Sequence, residues 1–379
     1  MNKYILTILI FTFTLSLSSC QSNKISAVRG VWVTNVDSEV LNSKENIIKA
    51  VNLLDELGFN TIFVVTWNKA MTTYPSRVIK DFTGVEIDTL FKGRDPLKEL
   101  IEEAHKKNIK VIAWFEFGFS SSYQLNGGPI LEKKPDWAAK DVDGNLVEKN
   151  GFEWMNGFNP KVQNFLLSII MEVVRNYDVD GIQGDDRLPA MPSESGYDDY
   201  TIELYKSQHD GSTPPKYYKD QNWIKWRSNL LTDFMGRIYD SVKTYNKDLI
   251  VSMAPSIYPW SEEEYLQDWP TWMQKGYVDL ICPQAYRYNI DEYQEAIENL
   301  VDNQIEAKDF YKFYPGVLIK VGDYYPSVEF LKQMIEENRK YKINGEVFFF
   351  YEGIKKYPEL FKEFYKDRAV FPDLLNKQR

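Results

Sequence analysis

Eight short runs of β-forming residues recur along the chain, and each is followed by sequence with a helical apolar stripe. The runs are Arg29–Asn35, Asn60–Trp67, Lys110–Phe117, Gly181–Arg187, Leu249–Ser256, Val278–Arg287, Tyr314–Lys320 and Glu346–Glu352. Strands alternating with helices predict a parallel sheet, and eight such units predict a (β/α)8 TIM barrel of the α/β class. The helix starts are well marked. Ser43 precedes Lys44–Leu57, which stops at Gly58; Asp95-Pro96 opens Leu97–Lys107; Asn159-Pro160 opens Lys161–Tyr177. A capping side chain followed by proline at the first helical position is a strong start signal. Further helices are expected over Trp223–Tyr245, Asp291–Asn303, Val328–Tyr341 and Tyr357–Lys366.

The connections are uneven. Gly118–Phe158 after the third run and Leu188–Asn222 after the fourth are far longer than ordinary βα loops. Both leave strands on the face where barrel enzymes place their active sites, so both are expected to build the cleft. No repeat beyond the βα unit and no Pro/Gly-rich linker divides the chain, which reads as one barrel over residues 28–368 with a C-terminal tail, 369–379, whose Phe371–Arg379 is expected to fray.

The first residues read as a targeting signal. Lys3 precedes an apolar stretch, Tyr4–Leu17, too short and too rich in Thr and Ser to span a membrane. Leu17-Ser18-Ser19-Cys20 resembles a bacterial lipobox, which implies a leader over residues 1–19, acylation of Cys20 and a polar tether over 20–27. Several acyl chains on one cysteine anchor a protein stably. The expected location is the cell envelope, on the periplasmic face of an outer membrane. Losing Lys3 with the leader takes the formal charge from −10 to −11, which disfavours a nucleic-acid partner. Cys282 is then the sole cysteine of the barrel, so no disulfide framework is expected. Aromatic residues make up 15%, with 10 Trp and 25 Tyr, more than a core requires and suited to stacking on sugar rings.

The candidate chemistry gathers at the ends of the runs. In Gly181-Ile182-Gln183-Gly184-Asp185-Asp186-Arg187, alternation turns Ile182 toward the helices and sends Gln183 and Asp185 into the barrel mouth. Asp185 is the candidate nucleophile or base, expected to stay ionised beside Arg187. Asp186 either shares that work, caps a turn or pairs with Arg187. Glu116, in Trp114-Phe115-Glu116-Phe117, sits among aromatics whose desolvation suits a general acid. Its alternative is a buried ion pair with Arg187 or Arg287. Two such carboxyl groups are what glycoside hydrolysis requires. Gln284 and Tyr286 are candidate hydroxyl contacts. Arg287 suits a carboxylate or N-acyl group, or else neutralises the acids. Trp67 and Trp269 are candidate platforms set against plain core packing, with Asp268 and Glu352 as further substrate contacts. Two histidines, His105 and His209, cannot make a three-His metal site, and no nucleotide or nucleophile-elbow motif occurs, so no cofactor is expected.

At these residues the chain resembles the glycosyl hydrolase-like 10 family. The matching segments include Arg29-Gly30-Val31-Trp32, Trp114–Gly118, Asn159-Pro160, Tyr177–Asp186, Gly196-Tyr197-Asp198, Trp223–Arg227, Leu266–Trp269, Gln284–Arg287 and Phe348–Glu352. The resemblance implies a TIM barrel and glycosidase activity, with relatives acting on peptidoglycan glycan strands. Members often follow the acidic pair with His and an aromatic, whereas Arg187-Leu188 stands here. The expectation is therefore a membrane-anchored hydrolase of an amino-sugar polymer. The rivals are a hydrolase of another polysaccharide and a glycan-binding lipoprotein without turnover.

Overall fold

The computed structural model describes residues 25–375. Cys20 and the leader lie outside them. The eight expected strands form one parallel sheet: β1 (Gly30–Val33), β2 (Thr61–Val65), β3 (Lys110–Trp114), β4 (Gly181–Gly184), β5 (Ile250–Met253), β6 (Leu280–Ile281), β7 (Gly316–Leu318) and β8 (Val347–Phe349). Their order is β6-β5-β4-β3-β2-β1-β8-β7. Parallel bridges Ile281↔Phe313 and Gln284↔Gly316 join the two edges and close the barrel. Closure removes the unpaired strand edges that an open sheet would present.

The helices start where capping chemistry puts them. Ser43 accepts the Asn46 N–H ahead of α1 (Lys44–Glu56), Asp95 caps α2 (Pro96–His105) and Asn159 caps α3 (Pro160–Asn176). Asp220 caps α4 (Gln221–Tyr245), two residues earlier than expected. Each cap satisfies an amide the first helical turn leaves unpaired. Then follow α5 (Trp269–Gln274), α6 (Ile290–Asn299), α7 (Val328–Lys340) and α8 (Pro358–Phe364). No helix among the described residues is long and apolar enough to cross a membrane.

The barrel interior is filled rather than open. Trp32 packs its ring against Phe63, Trp114 and Phe349, and its Nε1–H donates to Gln183 Oε1 at 2.7 Å. Gln183 in turn donates to Ser252 Oγ at 2.9 Å, so a buried polar line crosses the lumen with both ends satisfied. Cys282 is buried, as its mid-run position suggested.

At the strand starts, each buried acid has its own cation. Asp180 opens β4 beside Lys110 (2.6 Å), Asp279 opens β6 beside Lys243 (2.6 Å) and Glu346 opens β8 beside Arg339 (2.8 Å). The chain end corrects an expectation. Val370 N–H donates to Ile25 O, Ala27 N–H donates to Val370 O, and Leu374 is buried. Within the described residues the tail is docked on the barrel, because its apolar side chains find a surface there.

Candidate active site

The two long connections do build the cleft. The one after β3 folds into a small antiparallel sheet, Ser120–Tyr123, Phe152–Trp154 and Glu148–Lys149, and the one after β4 carries a helix, Asp199–Gln208. They are tied together at Arg187, whose carbonyl accepts the Phe119 N–H at 3.1 Å. Gly118 has φ +50, and a Cβ there would fall 1.9 Å from Arg187 O, so only glycine permits this approach.

Asp185 lies at the end of β4 with its side chain inward, as alternation required. It is buried, accepts the Trp114 Nε1–H at 3.1 Å and the Arg187 backbone N–H at 3.0 Å, and stands 3.4 Å from Arg187 Nη2. Glu116, two residues beyond Trp114 on the same inward face, has its Oε1 3.5 Å from that same nitrogen and accepts from Asn68 Nδ2 at 3.0 Å. Asp186 reaches Arg187 Nη1 at 3.4 Å. Three carboxyl groups thus surround one guanidinium, whose plane also rests on the Phe152 ring 4.8 Å away. Two of them lie within 3.5 Å of one atom, so they are no more than about 7 Å apart.

The contrast with the strand starts is electrostatic. There each acid has a dedicated cation; at the mouth one arginine serves three acids. Burial pushes the Glu116 carboxyl up to about 7, with Asp186 adding to the rise while Arg187 and Lys69 oppose it. Asp185 was expected to stay in the ordinary carboxylate range. Instead, burial drives it well above that range, with Asp186 and Glu116 pushing the same way and only Arg187 and its backbone amide pulling down. Desolvation wins because a single shared positive charge cannot compensate two buried negative ones. Arg187 itself is held protonated: burial works against its charge, and Asp186, Asp185 and Glu116 outweigh it.

The other candidates divide. Tyr286 belongs to the site: its ring packs on Phe349, and burial followed by Asp186 and Asp185 raises its hydroxyl. Gln284 is half-buried and donates to Ala254 O at 2.9 Å. Arg287 does not join the acids. Its Nη1 donates to the Tyr286 carbonyl at 2.8 Å, and no carboxylate pairs with it among the described residues. Glu352 is engaged by Ser38 Oγ (2.9 Å) and Lys355 rather than by Arg187.

Three expectations are corrected. Trp67 is fully buried, donates to Gly118 O at 3.0 Å and packs edge-on against Phe117 and Phe165, so it supports the loop instead of stacking on sugar. Trp269 is fully buried as well, with its Nε1–H on Ser256 O. Asp268 caps α5 through Thr271 and pairs with Lys225, which makes it a helix anchor.

The sequence did not point to Asn68, which links Glu116 to Asn35 by donating to both. Asn68 lies just past the end of β2, on a tight turn with Lys69 and Ala70 at positive φ, and the strand-end rule that picked Glu116 would have picked it too. Gln267, which donates to the Asp185 carbonyl at 2.7 Å, carries no such signal.

Residues 27–320 match the family described as Glycosyl hydrolase-like 10. The chain belongs to this family. Among similar proteins, it is 21% identical to Glycosyl hydrolase YngK of Bacillus subtilis, over 98% of this chain and 78% of the relative. It is 25% identical to Glycosyl hydrolase DigH of Escherichia coli K12 over 68% of this chain, and the match spans 62% of DigH. The fold matches the PgaB (BpsB) glycoside hydrolase domain from Bordetella bronchiseptica with a TM-score of 0.68, covering 91% of this chain and 99% of that one at 15% identity. This glycosyl hydrolase-like barrel therefore shares its architecture with a glycoside hydrolase domain, and the carboxyl groups at its mouth are where that architecture puts chemistry.

Proposed function

We propose that this protein is a glycoside hydrolase that cleaves an amino-sugar polymer, peptidoglycan glycan strands first, by a two-carboxylate mechanism. The observation that carries the reading is the Glu116–Arg187–Asp185 arrangement: a buried and a largely covered carboxyl group about 7 Å apart or less, sharing one cation at the mouth of the barrel. The substrate class rests on the family resemblance.

Glu116 is the general acid. Its carboxyl, raised to about 7, keeps a proton near neutrality and can give it to the glycosidic oxygen as that bond breaks. Asp185 is the second carboxyl group. N–H donors from Trp114 and Arg187 meet both of its oxygens and, with the Arg187 guanidinium, oppose the burial that raises it, so Asp185 serves as nucleophile in the fraction of protein where its proton has left. The cost of that buried anion falls as positive charge develops on the sugar, so the interaction strengthens toward the oxocarbenium-like transition state. The ceiling of about 7 Å accommodates the retaining separation and only the shortest inverting ones. Asp185 then attacks the anomeric carbon, and Glu116 removes the proton of the water that releases the sugar.

The rival reading, a glycan binder without turnover, draws on Arg187, which occupies space between the two acids. Leaving-group chemistry separates the two. A substrate with an activated leaving group needs no protonation, so it is expected to restore cleavage in Glu116→Gln and not in Asp185→Asn. Equal and complete inactivity of wild-type protein on activated and natural substrates favours the binder.

We further propose that Cys20 is acylated and holds the barrel at a membrane. Cys20→Ala is expected to leave unprocessed precursor or to move the protein to the soluble fraction, read by fractionation. Mature, membrane-bound Cys20→Ala protein contradicts the anchor.

A further inference from the structure

Beside the acids, across Tyr286, lies a cavity of about 350 Å³ whose walls include Trp260, Gln284, Tyr286 and Arg287. Two of its features are only partly engaged by the fold: Trp260 packs one side against Tyr265, with ring centroids 5.5 Å apart, and Arg287 has no carboxylate partner among the described residues. Trp260 is 50% exposed, while seven of the other nine tryptophans are almost fully buried and Trp137 and Trp226 are largely covered. A ring that size left in water at the rim of a cavity offers a stacking face for a sugar. Arg287 is the second. Three other cations at this mouth have carboxylate partners: Arg187 has three acids, Lys320 has Asp37 and Lys355 has Glu352. Among the described residues Arg287 is paired only with the Tyr286 carbonyl, although the chain carries ten more negative charges than positive. Its remaining N–H donors form a fork of the shape that takes a carboxylate in two parallel hydrogen bonds. Around them, the Tyr286 hydroxyl makes no hydrogen bond among the described residues, and Gln284 uses an amide N–H on Ala254 O, leaving its carbonyl oxygen for a hydroxyl donor.

We propose that Trp260 and Arg287 form a subsite for a carboxylate-bearing sugar residue next to the bond that is cut, with Trp260 under the ring and Arg287 on the carboxylate. This deepens the hydrolase reading above and rests on it for the word cut; the binding geometry itself does not. Tyr286 connects the two places. Its side chain lines the cavity, and its hydroxyl feels the charges of Asp186 and Asp185, so the cavity opens on the same end of the barrel as the acids.

The test uses full-length Asp185→Asn protein, which binds without turnover, and two probes. One is a peptide-free glycan tetrasaccharide bearing free lactyl carboxylates; the other is the same tetrasaccharide with those carboxylates converted to amides. Calorimetric Kd values should show the acid form bound more tightly. Adding Arg287→Met should weaken the acid form about 10–100-fold and the amide less than about 3-fold. Arg287→Lys, which keeps the charge without the fork, should fall between, and this guards against misreading an unfolded variant. Trp260→Ala should weaken both probes by similar factors of about 5–10. Equal losses on both probes in Arg287→Met, or no loss in Trp260→Ala, overturn the subsite. If wild-type protein cleaves nothing and the Arg287-dependent preference is still measured, the subsite stands and the hydrolase reading falls.

Discussion

Glu116→Gln is expected to lower kcat on a natural glycan by about 10²–10⁴-fold while making the fold more stable at neutral and higher pH. The two effects share one cause. Glu116 is raised from the ordinary carboxylate value to about 7, mainly by burial. A group whose folded pKa exceeds its unfolded one supports the fold below the unfolded pKa and loses that support as pH rises through the folded value. Stability should therefore decline from about pH 4.5 to about pH 7 in the wild-type protein, and the glutamine variant should lack this part of the decline. The gain above pH 7 is on the order of 2 kcal/mol, or ~3 °C in Tm, shrinking toward zero near pH 4.5. The same proton sets the activity profile: wild-type kcat should fall on the alkaline side with an apparent pKa near 7. Thermal melts at pH 4.5 and pH 8, together with a kcat profile, check this. A variant no more stable than wild type at pH 8 would mean that Glu116 is not under the desolvation described.

Arg187→Met should be the most damaging single change at the mouth. It keeps much of the apolar contact with Phe152 but removes the guanidinium that reaches Asp185, Asp186 and Glu116. Removing one partner of a buried ion pair costs about 3–5 kcal/mol, because the remaining charge is left uncompensated. The sign with pH follows from the acids left behind. Without this cation, the strongest group opposing their upward shift, Asp185 and Glu116 hold protons to still higher pH. The variant should thus be weakest near pH 8 and recover as acidification neutralises the cluster. Activity should drop at least 10²-fold near neutrality, since Asp185 loses the partner that keeps it available as an anion. Urea titrations at pH 5 and pH 8 measure this; the same stability loss at both would assign Arg187 a packing role through Phe152 instead.

The barrel was legible because eight βα periods and three capped helix starts each carry their own local signal. The inward pair Gln183 and Asp185 followed from a period of two, and Glu116 from its place at the end of a run among aromatic residues. Burial of Trp67 and Trp269 was not legible, since it depends on where loops distant in sequence close over them. Arg187 was legible only pair by pair: alternation puts it on the face of Gln183 and Asp185, and the sequence offered it as a partner for each acid. That one guanidinium serves all three acids depends on the folded loop, where Gly118 lets the backbones meet. The docked tail escaped notice because Val370 pairs with residues more than 340 positions earlier, a contact no local pattern encodes.

The central claim, hydrolysis by the Glu116–Asp185 pair, is tested most directly by measuring new reducing ends. Wild-type protein and Asp185→Asn would be incubated with purified peptide-free glycan strands, and the products sized by mass spectrometry. The account predicts shortened strands with one new reducing end per cut for wild type and none for Asp185→Asn, although the variant still binds the strands. Strands left intact by the wild-type protein, or cut equally by Asp185→Asn, would contradict it.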